Sequence, residues 1–336
     1  MAFWNGRKVL ITGGAGFVGS SVTERLCKLG ATVRVADNLS TGSLKNLESV
    51  RRHIDFMQVD LRDADSCVRA VLGQDVVLNL AGWIAGIGYN ARRHAEFMSN
   101  NALLQQMPLL AARDAGVERF AQVSSACVYP VDAPVPTPES ATDDGPPESS
   151  NQGYGWGKRF GERLAQYVAA ESDMQVAILR FFNVFGPRDH FELDRAHVIP
   201  ALIHKACSGQ PVIDVWGSGQ QTRSFVHVED LAALILEVTE TYASGDPINL
   251  GTPTEVTIRD LIGMIAEMTE TRSEVNFDLT KPEGYRRRAP DLTKLYKVLG
   301  RVPSAMPFRE GLEQVVNHYR EVIRPECQQR QVPDLR

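Results

Sequence analysis

The chain has 336 residues, 43% hydrophobic and 23% charged, with a formal net charge of −5. This length fits one large α/β domain, or one domain with a smaller lobe, and the charge excludes a general basic field for nucleic acid or an anionic membrane. No apolar stretch approaches the roughly 20 residues of a membrane span, and Met1 to Lys8 leads almost directly into the first apolar run, so neither a spanning helix nor a signal peptide is expected.

Val9 to Ile11 reads as a buried parallel strand. Gly13, Gly16 and Gly19 follow at the spacing GxxGxxG, with Phe17 and Val18 opening a helix. Gly13 permits the tight turn, Gly16 lets backbone approach a pyrophosphate, and Gly19 lets helix and strand pack closely. The helix N-terminus then offers N–H groups and a positive dipole end to the phosphates. A second strand, Thr32 to Ala36, ends at Asp37, close to the spacing of an acid that accepts from an adenosine ribose. Asn38 to Gly42 is a polar loop. A third strand, Ile54 to Val59, ends at Asp60, with Leu61 next. Asp60 either faces an adenine or caps the following helix. A fourth strand, Val76 to Leu80, leads into Ala81 and Gly82.

Glu96 to Ala115 reads as a long helix interrupted by Pro108 and stopped at Gly116. A fifth strand, Phe120 to Val123, delivers Ser124, Ser125 and Cys127. Prolines then punctuate Pro130 to Gln152, a loop too long for a plain connection and so a candidate cover over a site. Tyr154 to Ala170 is a helix and Val176 to Phe181 a sixth strand. Strands alternating with helices predict a parallel α/β sheet covered on both faces. Residues 1–180 form this domain. Residues 181–336 form mainly a smaller lobe, partly interleaved with the sheet, with helices at His197 to Cys207, Asp230 to Val238, Ile258 to Met268 and Phe308 to Tyr319. Short strands are expected at Val212 to Val215 and Ile248 to Leu250.

Tyr154 and Lys158 share one helical face. An ammonium beside a phenol lowers its pKa from about 10 towards neutrality, so the phenolate takes a hydroxyl proton while Ser125 holds the same oxygen. Nicotinamide is the matching hydride acceptor. The five cysteines, Cys27, Cys67, Cys127, Cys207 and Cys327, are widely spaced without CxxC. That spacing argues against disulfides, zinc or any other metal site, and for a reducing cytoplasm.

At the glycine turn, at Ser125, at Tyr154 to Lys158, at Arg180 to Pro187 and at Gln221 to Asp230 the sequence resembles the extended short-chain dehydrogenase/reductase family. The resemblance covers nearly the whole chain. It implies a Rossmann fold, bound NAD(P), a nucleotide-sugar substrate in the C-terminal lobe, and a dimer of the kind often built in this family on two helices of the first domain. Ser124 to Pro130 is similar to GDP-mannose 3,5-epimerases and GDP-L-fucose synthases, in which the cysteine at this place is an acid/base beside a ketone. Gly186 to Pro200 resembles the fucose synthases, whose second acid/base matches His197; the GDP-mannose epimerases carry lysine there. Trp216 to Phe225 and Pro282 to Arg288 look more like the GDP-mannose epimerases.

The resemblance therefore implies an epimerase acting on a GDP-hexose. Tyr154, with Lys158 and Ser125, takes the proton of the sugar C4 hydroxyl as hydride leaves for NAD. The 4-ketone acidifies C3 and C5, where Cys127 and His197 move protons from opposite faces. Hydride then returns to C4. Asp37, followed by Asn38 rather than arginine, favours NAD over NADP. Gly86, Asn183, Lys205, Trp216, Gln221, Arg223, Arg286 and Arg288 are candidates to line the sugar and diphosphate site, because arginine forks suit a diphosphate. An epimerase–reductase of the fucose-synthase kind and a plain C4-epimerase are the alternatives. A dehydratase is disfavoured because Ser125-Ala126-Cys127 stands where an acid pair is expected. A binding protein without turnover is disfavoured by the intact Ser125, Tyr154 and Lys158. Strand alternation, if continued past Ser125, puts Cys127 on the same side as Ser125. A small core residue remains the other reading of Cys127, a surface position that of His197, and a solvated face that of the arginines.

Overall fold

The computed structural model describes residues 3–84, 93–281 and 284–325. The first half alternates β1 (Lys8–Thr12), α1 (Phe17–Lys28), β2 (Thr32–Asp37), β3 (Ile54–Gln58), α2 (Ala64–Val71), β4 (Val76–Asn79), α3 (His94–Asp114), β5 (Arg119–Ser125), α4 (Gln152–Glu171) and β6 (Gln175–Phe181). The second half holds β7 (Val184–Phe185), α5 (Val198–Cys207), β8 (Val212–Trp216), β9 (Thr222–Ser224), β10 (Val226–His227), α6 (Val228–Thr241) and β11 (Ser244–Leu250). Then come β12 (Glu255–Thr257), α7 (Ile258–Thr269), β13 (Glu274–Asp278), β14 (Arg287–Arg288), α8 (Thr293–Leu299) and α9 (Phe308–His318).

The main sheet has seven strands in the order β3-β2-β1-β4-β5-β6-β11, every neighbour parallel. Val9, Leu10, Ile11, Val76, Val77 and Leu78 are fully buried, as strands covered on both faces require. One apolar layer places Val22 and Leu26 of α1 with Leu231 and Ile235 of α6; the other places Leu109 and Ala112 of α3 with Ala165 and Val168 of α4. The strand order reverses between β1 and β4. In a doubly wound sheet that switch point opens a crevice at the carboxyl ends of the strands.

The expected strands appear within a residue or two of their predicted ends, except the one expected at Ile248 to Leu250, which starts at Ser244; three further features differ from the sequence reading. Helix α3 runs unbroken through Pro108. Proline cannot donate to the Leu104 carbonyl four residues back; the Asn79 side-chain amide does so instead, at 3.0 Å. The cap of α2 is Asp63, which accepts from the Ser66 N–H at 2.8 Å, so Asp60 is not the capping residue. Strand β5 stops at Ser125, and Ala126–Val128 forms a 3-10 turn, so strand alternation does not reach Cys127.

The second half of the chain holds a core of its own. Leu202 and Ile203 of α5, Leu261 and Ile265 of α7, and Leu312 and Val315 of α9 pack around Phe185 and Phe225. Strand β11, from the second half, pairs with β6 through Ile248↔Leu179 and Leu250↔Phe181. The loop between β5 and α4 is clamped from below by Arg180. Its guanidinium pairs with Glu162 at 2.7 Å and donates to the Tyr129 hydroxyl at 2.9 Å and to the Glu139 carbonyl at 2.7 Å.

Candidate active site

The turn after β1 is built for close approach. Gly13 sits at φ +65, and a Cβ there would stand 3.0 Å from the Ala81 Cα. A Cβ on Gly19 would stand 2.1 Å from the Gly13 carbonyl oxygen. Gly16 is the N-cap of α1 and, among the described residues, no side chain caps that helix. The first turn, with half-buried Phe17 and Val18, thus presents its N–H groups beside the Leu80-Ala81-Gly82 exit of β4. Thr12 ties the two strand ends together: its hydroxyl donates to the Asn79 side chain at 2.7 Å and accepts from the Ala81 N–H at 3.0 Å.

Asp37 ends β2 at the edge of this turn and is 7% exposed. One carboxylate oxygen accepts from the Ala15 N–H at 3.0 Å and the other from the Leu39 N–H at 2.8 Å. Burial raises its pKa, and these two N–H groups pull it back. Asp60 is gripped by Arg62 at 2.5 Å and held at about 2, the Arg62 hydrogen bond being the main cause, with Asn38 also contributing. The Arg62 guanidinium in turn lies 5.4 Å from the centre of the Trp83 ring.

Ser125, Tyr154 and Lys158 meet at the end of β5. Ser125 hydrogen-bonds with the Tyr154 phenol, and its hydroxyl accepts from the Cys127 N–H at 3.2 Å. Lys158 is 1% exposed and donates to the Val123 carbonyl at 2.9 Å. With the Gln105 amide oriented by the network, its oxygen accepts from Lys158 at 3.0 Å. The electrostatics differ from the sequence expectation. Burial pushes Tyr154 up, and the groups that pull it back are Ser125 and Arg288, not Lys158, whose Nζ lies 5.7 Å from the phenol ring centre. Burial likewise pushes Lys158 down to about 7, against Glu162 and Cys127, which raise it. A lysine so poised is neutral or charged according to small changes in its surroundings.

Cys127 is half-buried, and its Sγ accepts from Arg288 Nη2 at 3.4 Å. Arg288 lies over the Tyr285 ring at 4.5 Å, and the Tyr285 hydroxyl donates to the Tyr129 carbonyl at 3.1 Å. Arg288, one of the arginines the sequence offered for a diphosphate, reaches the cysteine. His197 is the N-cap of α5 and faces Cys127 closely enough for the two to interact electrostatically. Its Nδ1 is 3.0 Å from Asp189, which holds the imidazolium up to about 8.

The other predicted residues spread along the second half of the chain. Asn183, at φ +22, donates to the Ser224 carbonyl at 2.8 Å. Arg223 Nη1 donates to the Tyr285 carbonyl at 2.6 Å. Gln221 is buried, its Nε2 donates to the Trp216 carbonyl at 3.0 Å, and its Oε1 is an unpartnered buried acceptor. Lys205 donates to the Asp214 carbonyl at 2.7 Å, Trp216 is 46% exposed, and Arg286 is exposed. Gly86 lies outside the described residues. Sequence reasoning missed Asp189 and Tyr285; Asp189 stood in the Gly186 to Pro200 stretch, but no regular period links it to His197.

The sequence profile of the NAD dependent epimerase/dehydratase family matches residues 9–251. The chain belongs to that family. It is 31% identical over 323 residues to probable GDP-L-fucose synthase 1 of Oryza sativa subsp. japonica, covering 95% of this chain and 93% of that protein. It is 30% identical over 313 residues to GDP-mannose 3,5-epimerase 1 of the same plant, covering 92% and 81%. Among solved structures it is similar to a UDP-glucose 4-epimerase of Thermotoga maritima with UDP-glucose, at TM-score 0.85 and 28% identity, covering 94% of this chain and 99% of that one. The cofactor is NAD, and the cradle at Gly13, Gly16, Gly19 and Asp37 fits it: each glycine lies where a side chain would intrude on the turn or the pyrophosphate. No helix among the described residues is long and apolar enough to cross a membrane, and none of their histidines, cysteines and acids cluster as a metal site.

Proposed function

We propose that the protein is a redox-neutral nucleotide-sugar epimerase that inverts C3 or C5, or both, of a GDP-hexose. The feature that carries this reading is the placement of Cys127, on the turn after the catalytic strand beside Ser125, within electrostatic reach of His197 at the start of α5. A C4 oxidation and re-reduction alone needs neither proton carrier.

NAD, when bound, supplies the acceptor and later donor of the C4 hydrogen. Tyr154 takes the C4 hydroxyl proton and Ser125 holds that oxygen. Ser125 and Arg288 favour the ionised phenol, and Lys158, anchored on the Val123 carbonyl beneath the phenol ring, completes the set. The 4-ketone makes the hydrogens at C3 and C5 acidic. Cys127 removes one, and the enolate oxygen is held by Ser125 and Tyr154. His197 delivers a proton to the opposite face, or the two roles exchange. Arg223 and Arg286 hold the diphosphate, and Asn183, Lys205, Trp216 and Gln221 line the sugar end, so remote contacts orient the ring. Asp37 selects NAD through the ribose 2′-hydroxyl; Asp60 and Arg62 border the adenine side.

A second reading, a 4-keto sugar epimerase–reductase, is favoured by His197 and by similarity to the fucose synthase. Turnover of GDP-hexoses by purified protein with NAD and no added reductant separates the two. Product under those conditions supports the epimerase; a strict requirement for stoichiometric reductant removes it. The working unit is a homodimer. Trp156 and Phe160, spaced i,i+4 on α4, and Met98 on α3 are 39%, 40% and 47% exposed, an apolar stripe suited to a second copy. The protein acts in the cytoplasm.

A further inference from the structure

We propose that Asp189 is the positioning residue for His197, fixing the imidazole so that Nδ1 is engaged by the carboxylate and Nε2 alone serves the cleft as proton carrier. This rests on the reading of His197 as a proton carrier. Asp189 follows the Gly186-Pro187 turn, and its side chain is 1% exposed. Both carboxylate oxygens lie close to His197 Nδ1, at 3.1 and 3.0 Å. Among the described residues, the only other hydrogen bond to this carboxylate comes from the His190 N–H, at 2.8 Å. A buried carboxylate costs folding free energy unless a donor compensates it. Here the main donor is a ring whose side chain is itself 47% exposed. That asymmetry suits a device for orienting the ring better than a packing contact.

The span between the two residues is held firmly. Phe191 is 5% exposed and packs on the Tyr319 ring at 5.1 Å, and the Arg195 and Ala196 N–H groups close onto the Glu192 carbonyl at 2.9 and 2.8 Å. With Nδ1–H donating to Asp189, the neutral ring keeps its lone pair on Nε2, and the protonated ring carries its transferable proton there. Nε2–H gives that proton to the enolate carbon, leaving a neutral imidazole whose Nδ1–H stays on Asp189; solvent then returns a proton to Nε2. The groups that bear on the ring are Asp189 and, across the cleft, Cys127; both favour the imidazolium when negative, and burial opposes them. The sign is that of a raised group: the acid form is present below about 8 and is lost as pH rises through that value.

The test is a proton NMR titration of the histidine rings in the full-length protein, with His197→Asn used to assign the resonance. The wild-type ring should titrate near 8, and in Asp189→Asn it should fall to the ordinary value of 6.5 or lower. At pH 7.5 that shift removes roughly eightfold of the imidazolium. With a GDP-hexose in D2O, Asp189→Asn should lose deuterium delivery at the carbon served by His197 by at least that factor. KM should be unchanged, Cys127-dependent exchange retained, and part of the loss recovered as pH is lowered. A wild-type ring that titrates at 6.5, which requires no variant to fold, overturns the proposal. So does an Asp189→Asn ring with an unmoved midpoint, or a variant whose loss is the same at every pH. If the ring titrates as stated yet the wild type exchanges no deuterium into any GDP-hexose, the pairing stands and the epimerase reading fails.

Discussion

Arg180 offers the sharpest test of how the fold supports the site. Its side chain is 3% exposed and that of Glu162 5%, and the pair is bidentate at 2.9 and 2.7 Å. Arg180→Met keeps apolar bulk but leaves Glu162 buried without its counter-charge, which costs about 3–5 kcal/mol. It also strips a donor from the Glu139 carbonyl, a further cost of about 1–3 kcal/mol if water does not replace it. The same guanidinium donates to the Tyr129 hydroxyl, and the Tyr129 carbonyl holds the Tyr285 hydroxyl under Arg288. The damage should therefore spread toward Cys127. Urea unfolding followed by circular dichroism should show the midpoint falling with little change in slope. The double variant Arg180→Met/Glu162→Leu removes both charges and should regain most of the ion-pair part, about 3 kcal/mol. A loss below about 1 kcal/mol in the single variant, or no recovery in the double, would refute this reasoning.

Three further outcomes follow from the site. Tyr154→Phe should fold and bind NAD normally while C4 oxidation falls about 10²–10⁴-fold; near-normal turnover removes Tyr154 as the proton acceptor. NAD should bind about tenfold or more tighter than NADP, because Asp37 accepts from a ribose hydroxyl and repels a phosphate. Calorimetry with both nucleotides checks this, and tighter NADP binding would promote the epimerase–reductase. Phe160→Glu places a charge on the exposed face of α4 and should convert a dimer to a monomer by light scattering; a wild-type monomer would contradict the proposed assembly.

The cofactor half was largely legible in the sequence because its rules are local. Three glycines, a strand-end acid and alternating strands and helices each carry a short-range physical requirement, and the turn at Gly13 answers to it at φ +65. The second half was less legible. Strands β9, β12 and β14 span two or three residues each and exist through pairing, with Val256↔Arg223 and Arg288↔Arg223 in register, so periodicity could not reveal them. Helix α8 is only seven residues long. Pro108 misled because the compensating donor, Asn79, comes from a distant strand. Arg288 was assigned by residue type, a diphosphate being the usual partner of an arginine cluster. Its contact with Cys127 joins segments 161 residues apart in the chain. Asp189 escaped because its role lies in a side-chain pairing across an irregular loop.

The most direct measurement is incorporation of solvent deuterium into a GDP-hexose by the NAD-loaded protein, read by NMR at each ring carbon, for the wild type and Cys127→Ser. The wild type should place deuterium at C3 or C5 and none at C4, where hydride returns from the cofactor. Cys127→Ser keeps the shape but not the acidity of the thiol, so it should still reduce the cofactor transiently and fail to exchange C3 and C5. Exchange in Cys127→Ser at the wild-type rate, or a wild type that yields the C4 epimer with no deuterium at C3 or C5, would contradict the account.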